Sequence, residues 1–245
     1  MVEFFTTAQG RKIAYAHRKG AGPCVVILHG FRSDMEGSKA QALDAWAAQT
    51  GRALLRFDYS GHGQSSEAFE DGSIGNWAQD SAEIISALCP DPVVLVGSSM
   101  GGWISLLLAR HMPHRIAGLV TIAAAPDFTQ DRIFAQRSAE DEAHLRDHGY
   151  FYVPSDYGEP YKITATLLED GRAQSIFDRP LSLPMPVRFL QGDRDLAVPV
   201  SKATRLFEHA EGEDMRLTLV SGADHSFSTA SCLDLITAAI LEVSE

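Results

Sequence analysis

Apolar residues along the chain fall into short continuous runs separated by polar, glycine-containing turns. Runs near 24–29, 53–58, 93–97, 116–123, 187–191 and 216–220 read as strands. Several are continuous, which marks strands covered on both faces, since a strand with one wet face would alternate. Two further strands are read near 3–7 and 12–17. Helical spacing appears between them. Trp77, Ser81, Ile84, Ile85 and Leu88 share one face, and Pro90 stops that helix. The stretch Trp103 to Leu108 is apolar almost all round, which predicts a buried central helix ended by Pro113. A last helix runs from about Ser231 to Val243. The alternation predicts an α/β fold: a mostly parallel eight-stranded sheet with helices on both faces, formed by one domain over 1–245. One stretch breaks it. Between Pro126 and Asp178 no core strand is evident, and an insertion of about 127–178 is expected. It holds eight of the 21 aromatic residues, Phe134, Tyr152 and Tyr157 among them, and a charged run from Arg137 to Asp147. Those rings could floor an apolar pocket or simply pack the insertion onto the body.

The densest signal is Val93-Val94-Leu95-Val96-Gly97-Ser98-Ser99-Met100-Gly101-Gly102-Trp103. An apolar strand ends in G-x-S-x-G and a helix follows at once, the pattern of a strained turn that presents a serine hydroxyl at the top of a sheet. Ser99 is its centre, because centring on Ser98 would put Val96 and Met100 at the glycine positions. A serine hydroxyl needs a base, and the base an orienting acid. Downstream, the strand Val187–Gln191 runs into a loop carrying Asp193 and Asp195, and the strand near 216–220 runs into Asp224-His225. His225 is the candidate base. Asp195, farther out on its loop, is preferred as the orienting acid, with Asp193 fixing the loop and Asp224 a turn residue. Charge that builds on a carbonyl oxygen needs fixed N–H donors. The candidates are the backbone N–H groups of Met100, which follows the serine and opens a helix, and of Phe31, in the turn His29-Gly30-Phe31 after an early strand.

These four pieces resemble the α/β-hydrolase superfamily. The runs Arg56-Phe57-Asp58-Tyr59-Ser60-Gly61-His62-Gly63-Gln64-Ser65 and Met35-Glu36-Gly37-Ser38-Lys39-Ala40, with the serine motif, are similar to the mitochondrial palmitoyl-protein thioesterases that also act as mycophenolic acid acyl-glucuronide esterases, and to their bacterial relatives. The tract Tyr152-Val153-Pro154-Ser155 and Tyr157 resemble the cap of that group. The resemblance implies an α/β-hydrolase fold with a small cap and cleavage of esters or thioesters through an acyl-enzyme. It puts Ser99, Asp195 and His225 in catalysis, Phe31 and Met100 in the oxyanion hole, and Phe134 and Tyr152 in the substrate pocket. A carboxylesterase for small esters is the alternative, and a ligand receptor on a retained hydrolase fold is the alternative of another class.

Composition narrows the partners. The formal charge of −11 repels phosphate, so nucleic acid is an unsuitable partner, and no apolar stretch is long enough for integral membrane association. The expected partner is a small-molecule ester or S-acylated substrate; the oligomeric state is open. Three scattered cysteines, Cys24, Cys89 and Cys232, read as reduced and mostly buried, and the start Met1-Val2-Glu3-Phe4-Phe5 lacks the basic and apolar regions of a secretion signal, so a cytoplasmic location is expected. His144 and His148 have the spacing of a helical metal pair but charged flanks, and read as a solvated face. Gly61-His62-Gly63 lacks the Lys-Ser/Thr of a phosphate loop and reads as a turn, with Asp58 organising it. Hydrolysis by this route requires no cofactor and no metal.

Overall fold

The computed structural model describes residues 2–134, 137–154 and 160–244, apart from the side chains of Arg132 and Phe134. The strands in chain order are β1 (Glu3–Thr6), β2 (Lys12–Arg18), β3 (Ala21–Leu28), β4 (Arg52–Phe57), β5 (Val93–Ser98), β6 (Ile116–Ile122), β7 (Tyr150–Val153), β8 (Tyr161–Thr164), β9 (Leu181–Ser182), β10 (Val187–Gly192), β11 (Ala210–Glu211) and β12 (Met215–Val220). The helices are α1 (Ser38–Thr50), α2 (Ile74–Leu88), α3 (Met100–His111), α4 (Ala139–His148), α5 (Ala165–Ala173), α6 (Val200–His209) and α7 (Ala230–Glu242). Eight strands form one sheet in the order β1-β2-β4-β3-β5-β6-β10-β12. Only the β1–β2 and β2–β4 pairings are antiparallel.

The apolar runs of the central strands β5, β6 and β10 are buried on both sides, as continuity predicts, whereas β12, at the sheet edge, is only half-buried and leaves Leu219 exposed. Val25, Val94, Val96 and Val120 face α1 and α7, while Val26, Leu28, Leu95 and Leu119 face α2 and α3. Each strand's two faces thus serve two separate cores. Helix α2 starts at Ser73, whose hydroxyl accepts the Asn76 N–H, and buries Trp77, Ser81, Ile84 and Ile85. Helix α3 is buried from Met100 to Ala109.

Between β6 and β10 the chain forms α4, the antiparallel pair β7–β8, and α5. None of these joins the main sheet. The segment is tied down at its ends. Asp127 accepts the N–H of Ile176 at 2.9 Å and the Ser175 hydroxyl. Trp103 Nε1 donates to the Gln174 carbonyl at 3.1 Å, and Arg110 donates to the carbonyls of Ser175 and Ile176. Helix α3 therefore carries Ser99 at its start and holds the end of this segment with its side chains.

Candidate active site

Ser99, Asp195, His225, Phe31 and Met100 stand at one end of the parallel strands, where the loops after β3, β5, β10 and β12 converge. The β5–α3 turn is the sharpest feature. Ser99 has φ 56° and ψ −116°, a conformation outside the ordinary regions for a residue with a side chain. The turn holds because Ser99 N–H donates to the Ile122 carbonyl and its own carbonyl accepts from Gly102, Trp103 and Ala125. The glycines are steric necessities. A Cβ at Gly101 would lie 1.9 Å from the Leu28 carbonyl oxygen, and one at Gly97 would lie 2.4 Å from the Gly101 oxygen.

The Ser99 hydroxyl lies 3.2 Å from His225 Nε2. On the other side of the ring, His225 Nδ1 donates to Asp195 Oδ2 at 2.8 Å. That bond fixes the tautomer and leaves Nε2 free to accept the hydroxyl proton. Asp195 has a fully buried side chain, whereas His225 is about one-third exposed. Burial alone would raise the Asp195 pKa; the His225 hydrogen bond, with the N–H groups of Val198 and Ala197 at 2.7 and 2.8 Å, overcomes it and holds the carboxyl below its ordinary range. Gln191, buried and missed by the sequence reading, donates from Nε2 to Asp195 Oδ2 at 3.2 Å and to the Val198 carbonyl at 2.9 Å. A glutamine ending a strand gives no periodic signal, and the fold alone turns it toward the acid.

The other two acids act on backbone. Asp193 accepts the Gly222 N–H at 2.6 Å, joining the β10 and β12 loops. Asp224 accepts from the N–H groups of Ser226 and Phe227 and from the Ser226 hydroxyl.

The loop after β3 passes directly over the serine. A Cβ at Gly30 would lie 3.5 Å from Ser99 Cβ and 4.0 Å from its Oγ. Gly30 precedes Phe31, and Met100 is the first residue of α3, whose first-turn N–H groups have no partner within the helix. The Phe31 ring packs edge-on against Phe69 and Trp77 of the body and against Phe128 and Tyr161 of the segment between β6 and β10, at centroid distances of 4.9 to 6.2 Å. Beneath the loop lie two buried imidazoles 5.2 Å apart, His29 and His62. Each donates Nδ1–H to a nearby carbonyl, Gly30 and Ser60 respectively. Burial pushes them down to about 4 and about 3, so both are neutral at pH 7. Asp58 closes the neighbouring turn by accepting the N–H groups of Met35 and Gln64.

Tyr152 is exposed on β7, edge-on to Tyr150. The Phe134 side chain and Tyr157 lie outside the described residues. His144 donates Nδ1–H to the Tyr150 carbonyl at 2.7 Å, on a helix with no fully buried residue. A hollow of about 270 Å³ beside Arg11 and Asn76 and one of about 440 Å³ between α4 and α5 are not lined by Ser99, Asp195 or His225. No helix among the described residues is long and apolar enough to cross a membrane.

Comparison with known proteins agrees with this architecture. Residues 25–235 match the alpha/beta hydrolase family. The chain is 30% identical over 237 residues to the bovine protein named palmitoyl-protein thioesterase ABHD10, mitochondrial, covering 96% of this chain and 77% of that one. Among solved structures, a protein of Agrobacterium vitis S4 described as a hydrolase superposes with a TM-score of 0.94 at 38% identity, over the full length of both chains. Mouse alpha/beta hydrolase domain-containing protein 10 gives 0.90 at 27% identity, over 99% of this chain and 98% of that one.

Proposed function

The chain belongs to the alpha/beta hydrolase family, and from that premise we propose a serine hydrolase that cleaves thioesters and carboxylic esters of acyl groups through a Ser99–His225–Asp195 triad. The observation that carries the reading is the unbroken line from the Ser99 hydroxyl through the His225 imidazole to the buried Asp195 carboxylate, at 3.2 and 2.8 Å. His225 Nε2 takes the hydroxyl proton as Ser99 Oγ attacks the substrate carbonyl. Asp195 stabilises the imidazolium. The N–H groups of Phe31 and Met100 receive the charge on the carbonyl oxygen. His225 then protonates the leaving thiol or alcohol, and water enters by the same base to release the acid.

The acyl and thioester preference draws on the palmitoyl-protein thioesterase name of the curated relatives and on the aromatic cluster that Phe31, which follows the Gly30 that approaches Ser99, makes with Phe128 and Tyr161. The segment between β6 and β10 is read as the cap, with Phe134 and Tyr152 as further pocket residues. Free thiols at Cys24, Cys89 and Cys232 support a reducing compartment such as the cytoplasm.

The test is a panel of p-nitrophenyl esters, acyl-CoA and S-acyl peptides, run on the wild type and on Ser99→Ala. Activity should climb with acyl length, since each buried methylene adds about 0.8 kcal/mol of binding. Phe134→Ala or Tyr152→Ala should flatten the climb. Ser99→Ala should lose roughly 10³-fold or more in kcat while staying folded, and a fluorophosphonate should label Ser99 alone. Preference for acetyl esters without thioesterase activity would reduce the proposal to a carboxylesterase. Tight ligand binding without turnover would make the chain a receptor.

A further inference from the structure

At the end of the sheet remote from Ser99, three side chains that the reaction does not use come together. His17 lies on β2, Cys24 near the start of β3, and Cys89 caps the C-terminus of α2. Strand alternation puts His17 on the same face as Ile13 and Tyr15, and Cys24 on the same face as Val26 and Leu28, which is the face that α2 covers. An imidazole nitrogen and the two sulfurs lie within 4.8 Å of one another. It is the one such cluster of three His, Cys, Asp or Glu side chains among the described residues. Their backbones are fixed independently. His17 pairs with Leu55 across the sheet. The Cys89 N–H donates to Ile85 at 2.9 Å and its carbonyl accepts from Arg115.

We propose that His17, Cys24 and Cys89 form a binding site for one thiophilic d¹⁰ cation, Zn²⁺ or Cu⁺. Thiolate and imidazole select these ions, and no carboxylate in the cluster favours Mg²⁺ or Ca²⁺. Metal–ligand bonds of about 2.0–2.3 Å put tetrahedral donors roughly 3.5 Å apart. The observed separations, all within 4.8 Å, come to that value with no more than a side-chain rotation. Binding breaks two S–H bonds, forms two metal–sulfur bonds and one metal–nitrogen bond, and releases two protons to solvent without any redox change. His17 and Cys24 are half-buried, which leaves an entry path and a fourth position open to water. A bound ion would join β2, β3 and α2, three elements that sequence separates by up to 72 residues between His17 and Cys89 (89 − 17).

The test uses the full chain, reduced and stripped by chelation. Co²⁺ serves as a spectroscopic probe, Zn²⁺ is titrated against a chromophoric chelator, and Cu⁺ is titrated anaerobically against a Cu⁺-specific chelator. One ion per chain, a thiolate-to-cobalt charge-transfer band, and a higher Tm with the bound ion are expected. Loss of a supporting residue costs about 10–100-fold in affinity, so loss of a ligand in Cys24→Ser, Cys89→Ser or His17→Gln should cost at least ~100-fold. Cys232→Ser should bind like the wild type. Absence of uptake, or uptake that survives in the Cys24→Ser/Cys89→Ser double variant, overturns the proposal. So does a Cys24–Cys89 disulfide that forms under mild oxidation in a protein whose reduced form takes up no ion, which would make the pair a redox couple.

Discussion

Asp193 and Asp195 stand two residues apart on one loop, and hydrogen bonds separate their roles. Asp195 Oδ2 accepts from His225 while Oδ1 takes two backbone N–H groups; Asp193 spends its oxygen on Gly222. Asp195→Asn should therefore cost far more activity than Asp193→Asn. An amide at Asp195 can donate to Nδ1 and leave Nε2 protonated, a change worth about 10⁴-fold in kcat in a comparable triad. Asp193→Asn should loosen the loop and change kcat less than about tenfold. Steady-state kinetics of both variants decide it, and equal losses would move the orienting role. The convergence of Ser99, Asp195 and His225 at one end of the sheet was legible from the sequence because each stands in the turn or loop that follows a parallel strand. Gln191 was not, since its contact with Asp195 depends on the path of the loop. Neither was the meeting of Cys24 with Cys89, which needs the strand face and the helix end together.

At the scale of elements, the sharpness of the β5–α3 turn depends on how closely α3 can approach β3. Gly101 sits against the Leu28 carbonyl, a backbone atom that cannot swing away. Gly101→Ala should destabilise the fold by about 3 kcal/mol or more, because overpacking against backbone has no rotamer escape. The urea midpoint measures it, and a variant with a wild-type midpoint would show that the helix can shift. All eight strands of the main sheet were readable, to within a few residues, from short apolar runs bounded by turns. The β7–β8 pair was not. Its strands are four residues each, mix aromatic with polar side chains, and pair only with one another. Helix α4 has no fully buried residue and sets Leu145 half-buried against the core amid charged neighbours, so periodicity gave only a weak face to read.

Across the whole molecule, the buried imidazoles set a response to acid. His29 and His62 titrate in the folded chain at about 4 and about 3, against roughly 6.5 when unfolded. Between those values the unfolded chain binds more protons, so stability is full above about pH 6.5 and falls as the pH drops through that window. Asp195, held low by its partners, acts in the same direction at still lower pH, while Asp58, raised by burial, opposes it. From pH 7 to pH 5 each histidine should contribute about 2 kcal/mol of loss, at 1.36 kcal/mol per unit. Urea unfolding at the two pH values should show the fall in the wild type and about half of it in His62→Gln. An unchanged fall in the variant would assign the acid sensitivity to other groups.

The position of Phe31 makes the admission of a long acyl chain a matter of timing as well as fit. Its ring bridges the body and the segment carrying Phe128 and Tyr161, and its N–H is the proposed donor to the oxyanion. A bulky chain that enters between those rings must part them, yet the donor must be back in register before the carbonyl is attacked. On the proposed function, entry and bond breaking would then be successive events, with re-closure setting the pace for large substrates. Short esters that slip past the rings escape the cycle. Added viscogen should slow kcat for long-chain thioesters and leave acetyl esters unaffected; equal sensitivity of both would separate the ring from the rate.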